Sequence, residues 1–190
     1  MPLLLLLGLV VAAVLWAIAT YNGLVSLKNG ADGAWRQIDV QLRRRHDLVP
    51  NLVETVRGAM DFEKSTLESV IAARARAVDA RGPAESATAE RELTSSLGRL
   101  FAVVEHYPDL KSNQNILQLQ EELTNTENLV SFARQRYNDV AQRLNTRREA
   151  FPGNLIASRF GFGAREYFEA SAVDAEPPRV SLGAPPAPRT

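Results

Sequence analysis

The chain contains no cysteine. That excludes a disulfide framework, thiol catalysis, cysteine-ligated zinc and a lipidated N-terminal cysteine. Histidine is almost as scarce, with only His46 and His106 in 190 residues. Neither shows the Glu-x-x-His spacing of di-iron bundles or the His-Glu-x-x-His spacing of zinc enzymes. An excess of charge is missing too, since 22 Lys and Arg balance 22 Asp and Glu. Nucleic-acid binders normally carry a basic excess, so no nucleic-acid partner is expected. No window alternates apolar and polar residues in the manner of a strand. Without strands there is no setting for a phosphate-binding loop, and Gly161-Phe162-Gly163 lies among aromatics with no lysine following it. No catalytic, cofactor or metal site is expected.

Charge is absent from the whole first segment. The first charged side chain is Lys28, and residues 2–20 are apolar apart from Pro2, Gly8 and Thr20. A helix of twenty residues spans about 30 Å, the thickness of a bilayer's hydrocarbon core. Trp16 and Tyr21 stand toward its distal end, where interfacial aromatics are expected. The expectation is a lipid-spanning anchor through residues 2–21, within an anchor segment 1–22. A cleaved signal peptide is the rival, because Ala17-Ile18-Ala19 has a small-x-small pattern. The missing basic n-region and the long apolar run oppose it. Lys28 and Arg36 follow the apolar stretch, which predicts an inner-membrane, single-pass protein with its N-terminus outside and the rest cytoplasmic.

Proline marks out the remainder. Five prolines crowd the end of the chain, so residues 171–190 read as a disordered Pro-rich tail. Pro50, Pro83, Pro108 and Pro152 are expected at helix boundaries, because proline suits a first helical turn and not an interior. Pro50 alone is ambiguous between a break and a kink in one long helix. Apolar residues recur at helical spacing in every interval: Leu24, Leu27, Ala31, Ala34, Trp35, Ile38 and Leu42, then Leu52, Val53, Val56, Met60, Leu67, Val70, Ile71 and Val78, then Leu93, Leu97, Leu100, Phe101 and Val104. In the last interval Ile116, Leu123, Val130, Tyr137 and Leu144 recur every seven residues. Leu119, Thr126, Ala133 and Val140 fill the companion seam of a heptad pattern. Short connections imply antiparallel neighbours. The expected fold is all-α: an N-terminal transmembrane helix, then an up-and-down four-helix bundle over residues 23–150, with an aromatic segment at 151–170 packing on it.

Several strings resemble the LemA family. They are YNGLVSLKN at 21–29, AWRQIDVQLRRRHDLVPNLVETVRG at 34–58, LGRLFAVVEHYPDLKSNQNILQLQEELTNTENLVSFARQRYNDV at 97–140 and FPGNLIASRFGFGAREYFEA at 151–170. The resemblance implies a membrane anchor, a soluble four-helix bundle and no established enzymatic activity. It also suggests, by loose association, a membrane protein or membrane protease as partner. Gly30, Gly33 and Phe62 depart from the family pattern. Each glycine costs about 0.5–1 kcal/mol against alanine in a helix, so a softened first helix is expected beyond the membrane.

Polar residues near the apolar seams are the candidates for function. Asp39, Asn51, Glu54, Gln118, Glu122, Glu127 and Arg134 either fix helix register or line a partner groove. Glu127 and Arg134 are seven residues apart, two turns along one face. Arg43-Arg44-Arg45-His46-Asp47 reads as a solvated corner, with Arg44 and Asp47 as candidates for docking an acidic partner. On a continuous helix it stands about 30 Å from the membrane exit, too far for headgroup attraction. Phe160, Phe162, Tyr167 and Phe168 need a cover, which is the bundle, a partner or the bilayer surface. A non-enzymatic membrane-anchored adaptor or scaffold is expected; the alternative is a ligand- or stress-responsive sensor relaying through its bundle.

Overall fold

The computed structural model describes residues 1–59 and 64–169. Met60, Phe62 and the Pro-rich tail fall outside the described residues, as do the expectations attached to them. Helix α1 runs unbroken over Pro2–Ala59. It is followed by α2 (Lys64–Asp79), α3 (Gly82–Val104), the short α4 (Pro108–Lys111), α5 (Gln114–Glu149) and the short α6 (Gly153–Arg159). All elements among the described residues are helical.

Three of the four prolines stand where their chemistry predicts. Pro83 and Pro108 lie in the first turns of α3 and α4, and Pro152 immediately precedes α6. Pro50 does not end a helix; it lies inside α1. A proline at this position leaves the carbonyl of residue 46 without its helical N–H partner. The Arg74 guanidinium of α2 fills that gap, its Nε donating to the His46 carbonyl at 2.7 Å. The orphaned acceptor is satisfied from a neighbouring helix, so the helix continues.

The core divides along the length of α1. Farthest from the N-terminus, Val49, Leu52, Val53 and Val56 of α1 join Leu67 and Val70 of α2, Leu93, Leu97 and Leu100 of α3, and Ile116 and Leu123 of α5 in one apolar cluster. Midway, Ala34, Ile38 and Leu42 meet Ala87, Val130, Tyr137 and Ala141. Nearest the apolar end, Leu24 meets Leu144 and Ala157, with Leu27, Ile156 and Phe162 packed around them. Residue numbers rise in α1 as they fall in α5, so these two helices are antiparallel. The α2–α3 hairpin covers the distal and middle parts of that pair. The heptad positions Ile116, Leu123, Val130, Tyr137 and Leu144 are all buried. Ile71 and Val78, expected in the core, are exposed, because α2 has fewer neighbours than the long pair.

Residues 1–16 are all exposed, and the first buried side chain of α1 is Thr20. Leu3, Leu5 and Leu9 are 76%, 76% and 69% exposed. The apolar surface that a soluble helix would bury is left on the outside here.

Candidate functional site

Two sites emerge, and both sit on α1. The first is a buried ionic cluster in the middle of the bundle. Arg45 donates from Nη1 to Glu90 Oε2 at 3.0 Å and from Nη2 to Thr94 Oγ1 at 2.9 Å. Its Nη2 also pairs with Glu127 Oε2 at 2.6 Å. The second Glu90 oxygen lies 2.5 Å from His46 Nε2. Arg45, His46 and Glu90 are all buried. The solvated-corner reading therefore fails for Arg45 and His46, and holds only for the exposed Arg43, Arg44 and Asp47.

A signal in the sequence could have found this cluster. Ile38, Leu42, Arg45, Val49, Leu52 and Val56 are spaced alternately by four and three residues. So are Ser86, Glu90, Leu93, Leu97, Leu100 and Val104. Each charge occupies one core position of an otherwise mostly apolar stripe. Helix geometry turns both inward, and opposite charges at those positions meet.

His46 also reaches the wall of a cleft of ≈ 440 Å³ between α1 and the α2–α3 hairpin. Asp39, Arg43 and Asp47 line it from α1, with Arg74 and Arg81 facing them. Its charges are of mixed sign, which gives it no evident preference for a single ionic ligand. Among the described residues, no three His, Asp or Glu side chains stand close enough to hold a metal ion.

The second site is the C-terminal strap. After α6 the chain extends back along α1 and α5. Asn145 accepts from the Arg165 N–H at 2.8 Å and donates to the Arg165 carbonyl at 2.9 Å. Asn138 does the same for Phe168, accepting at 2.8 Å and donating at 3.4 Å. Seven helical residues rise about 10.5 Å and three extended residues span about 10 Å, so the two spacings match. Tyr137 Oη donates to the Glu166 carbonyl at 2.8 Å. Arg165 pairs with Asp32 of α1. Phe168 is fully buried against Trp35, with ring centroids 6.0 Å apart. Burial pushes the Tyr137 phenol above its ordinary 10.0; the Arg165 guanidinium works against this, and the Glu166 and Asp32 carboxylates add to it.

The remaining candidates scatter. Glu127 meets Arg45 as above, whereas Arg134 lies over the Phe168 ring, 5.1 Å from its centroid. Asp39 pairs with Arg43 on the surface at 2.7 Å. Gln118 donates to Glu122 at 3.3 Å along α5. Asn51 and Glu54 are exposed, as is Tyr167. Phe160 and Phe162 leave the strap and pack edge-on against Tyr21, at 4.9 and 5.6 Å. Asn138, Asn145, Glu90 and Arg74 were not singled out in the sequence. Their partners are 20 or more residues away, and only Glu90 carries a local mark, its place in the apolar stripe of α3.

These features define an all-helical protein whose long first helix begins as an exposed apolar rod and ends in a bundle core. The chain belongs to the LemA family, whose model matches residues 34–182. It is 26% identical to magnetosome protein MamQ 2 of Paramagnetospirillum magneticum over 186 residues, covering 84% of this chain and 68% of the relative. It is 26% identical to protein LemA of Metamycoplasma hominis over 157 residues, covering 80% and 70%. Magnetosome protein MamQ of Magnetospirillum gryphiswaldense is 25% identical over 184 residues, covering 83% and 68%.

Proposed function

We propose that the protein is a non-enzymatic, membrane-anchored scaffold that holds its helical bundle rigidly above the inner face of a cell membrane. The unbroken course of α1 carries this reading. Its 58 residues make a rod of about 87 Å, of which the first third is apolar and exposed. A flexible tether would let a bundle drift; a continuous helix fixes its height and direction. The exposed flank of the bundle then stands where another membrane protein, such as a membrane protease, would meet it. Lys28 and Arg36 beyond the apolar stretch favour a cytoplasmic bundle.

Membrane fractionation tests the anchor. The full chain is expected to resist alkaline carbonate extraction, and removal of residues 2–20 to release it. Protease added to intact spheroplasts is expected to leave the bundle whole; cleavage from outside reverses the orientation. Cross-linking in native membranes is expected to capture discrete membrane-protein adducts, and their absence defeats the scaffold reading.

A second reading, a ligand-responsive relay, draws on the cleft beside His46. Its wall connects through Glu90 to Arg45 at the bundle centre. A small molecule that protects the amides of 42–49 from exchange would favour it over the scaffold.

A further inference from the structure

We propose that the chain touches the bilayer a second time, through the elbow between α5 and α6. The proposal rests on the anchor reading of residues 2–21 and adds a lipid-binding surface to it. Because α5 runs antiparallel to α1, its last turn returns to the level at which the apolar stretch ends. Leu144 packs at Leu24, and a Cβ on Gly153 would lie 2.9 Å from the Arg147 carbonyl and 3.8 Å from Thr20 Cγ2. Gly153 is thus where α6 presses onto the end of the anchor.

The depth follows from α1 itself. With residues 2–21 spanning about 30 Å of hydrocarbon, Ala17 and Ile18 lie about 5 Å inside its boundary. Ile156 and Phe160 close a hollow of ≈ 220 Å³ with Ala17, Ile18 and Tyr21. Whatever touches these residues is at the membrane surface or below it. The outward side of the same elbow is apolar: Phe151 is 81% exposed, Leu155 58% and Phe160 59%. Three cations accompany it, Arg147, Arg148 and Arg159. Arg147 and Arg159 are exposed, and Arg148 bonds Glu149. Apolar side chains at the acyl boundary with arginines at headgroup level form the pattern of an interfacial segment. The occupant is the anionic-lipid interface of the leaflet that the bundle faces. The covalent continuity of α1 brings that leaflet to the elbow without any recruited partner.

The absence of native cysteine allows a direct test on the full chain. Nitroxide labels on Leu155→Cys, Leu9→Cys and Phe132→Cys would be compared in vesicles of phosphatidylcholine with one-third phosphatidylglycerol. Leu9 reports the anchor, and Phe132 is an exposed residue midway along α5. The expected result is that the labels at 9 and 155 collide with oxygen severalfold more than with a water-soluble nickel chelate, and the label at 132 does the reverse. Charge reversal by Arg147→Glu with Arg159→Glu is expected to raise nickel access at 155 and leave it unchanged at 9. A label at 155 that behaves like the one at 132 overturns the second contact while the anchor stands. A label at 155 shielded from both probes means that a second copy covers it, which also overturns the proposal. Nickel access at 9 defeats the anchor reading, and the second contact with it.

Discussion

Arg74 of α2 donates a hydrogen bond to the backbone carbonyl of His46, the acceptor that Pro50 leaves without its partner in α1. A side chain 28 residues away thereby repairs a helix that proline would otherwise interrupt. Pro50 and Arg74 are expected to be energetically coupled. Arg74→Ala should cost about 1 kcal/mol, because it takes the donor from a part-buried carbonyl. In a Pro50→Ala background the helical N–H returns, and the same substitution should cost less by about 1 kcal/mol. A double-mutant cycle by urea denaturation measures the difference; strict additivity would refute the coupling.

The Arg45–Glu90 pair leads to a second expectation. Glu90→Ala removes the buried carboxylate that Arg45 and His46 share, leaving Arg45 with Thr94 and the half-exposed Glu127, and should cost about 3 kcal/mol. Replacing both charges, as Arg45→Met with Glu90→Leu, should recover most of that loss, since apolar groups suit the surrounding stripe. Thermal unfolding of the single and double variants checks it. A recovered stability with an altered oligomeric state would assign the pair to specificity of helix pairing.

The strap depends on two asparagines. Asn138→Ala or Asn145→Ala should free the amides of Phe168 or Arg165 respectively, seen as faster hydrogen exchange at that residue. Each change should leave exchange in the 116–130 half of α5 unaltered, because the strap lies beyond it.

Tyr137 sets an alkaline limit. Its phenol is neutral in the folded state and its pKa lies above the ordinary 10.0. The stability it contributes is therefore complete below pH 10.0 and is lost as the pH rises through the higher folded value. Tm measured from about pH 8 to 12 should fall more steeply for the parent than for Tyr137→Phe. Parallel curves would contradict a phenol raised by burial in the folded state.

The glycines of α1 are separable. A Cβ on Gly33 has open space, with the Arg36 guanidinium 4.0 Å away, so Gly33→Ala should add about 0.5–1 kcal/mol. A Cβ on Gly30 comes 3.4 Å from Val140 Cγ1, so Gly30→Ala should add less. Thermal unfolding of the two variants side by side decides their order.

Sequence pattern by itself determined the elements. The uncharged first 27 residues, the heptads of α5 and the starts marked by Pro83, Pro108 and Pro152 depend on local preferences and on periodicity, which any stretch of chain carries within itself. The tertiary structure decided the rest. It alone settled that α1 passes through Pro50, because the compensating donor comes from α2. It turned Arg45 and His46 from a presumed surface corner into the bundle's interior, because Glu90 and Glu127 approach from other helices. It matched two asparagines of α5 to an extended strap, and brought the α5–α6 elbow level with the end of the apolar rod. Each of these depends on groups far apart in sequence, whose meeting is fixed only when the helices have packed.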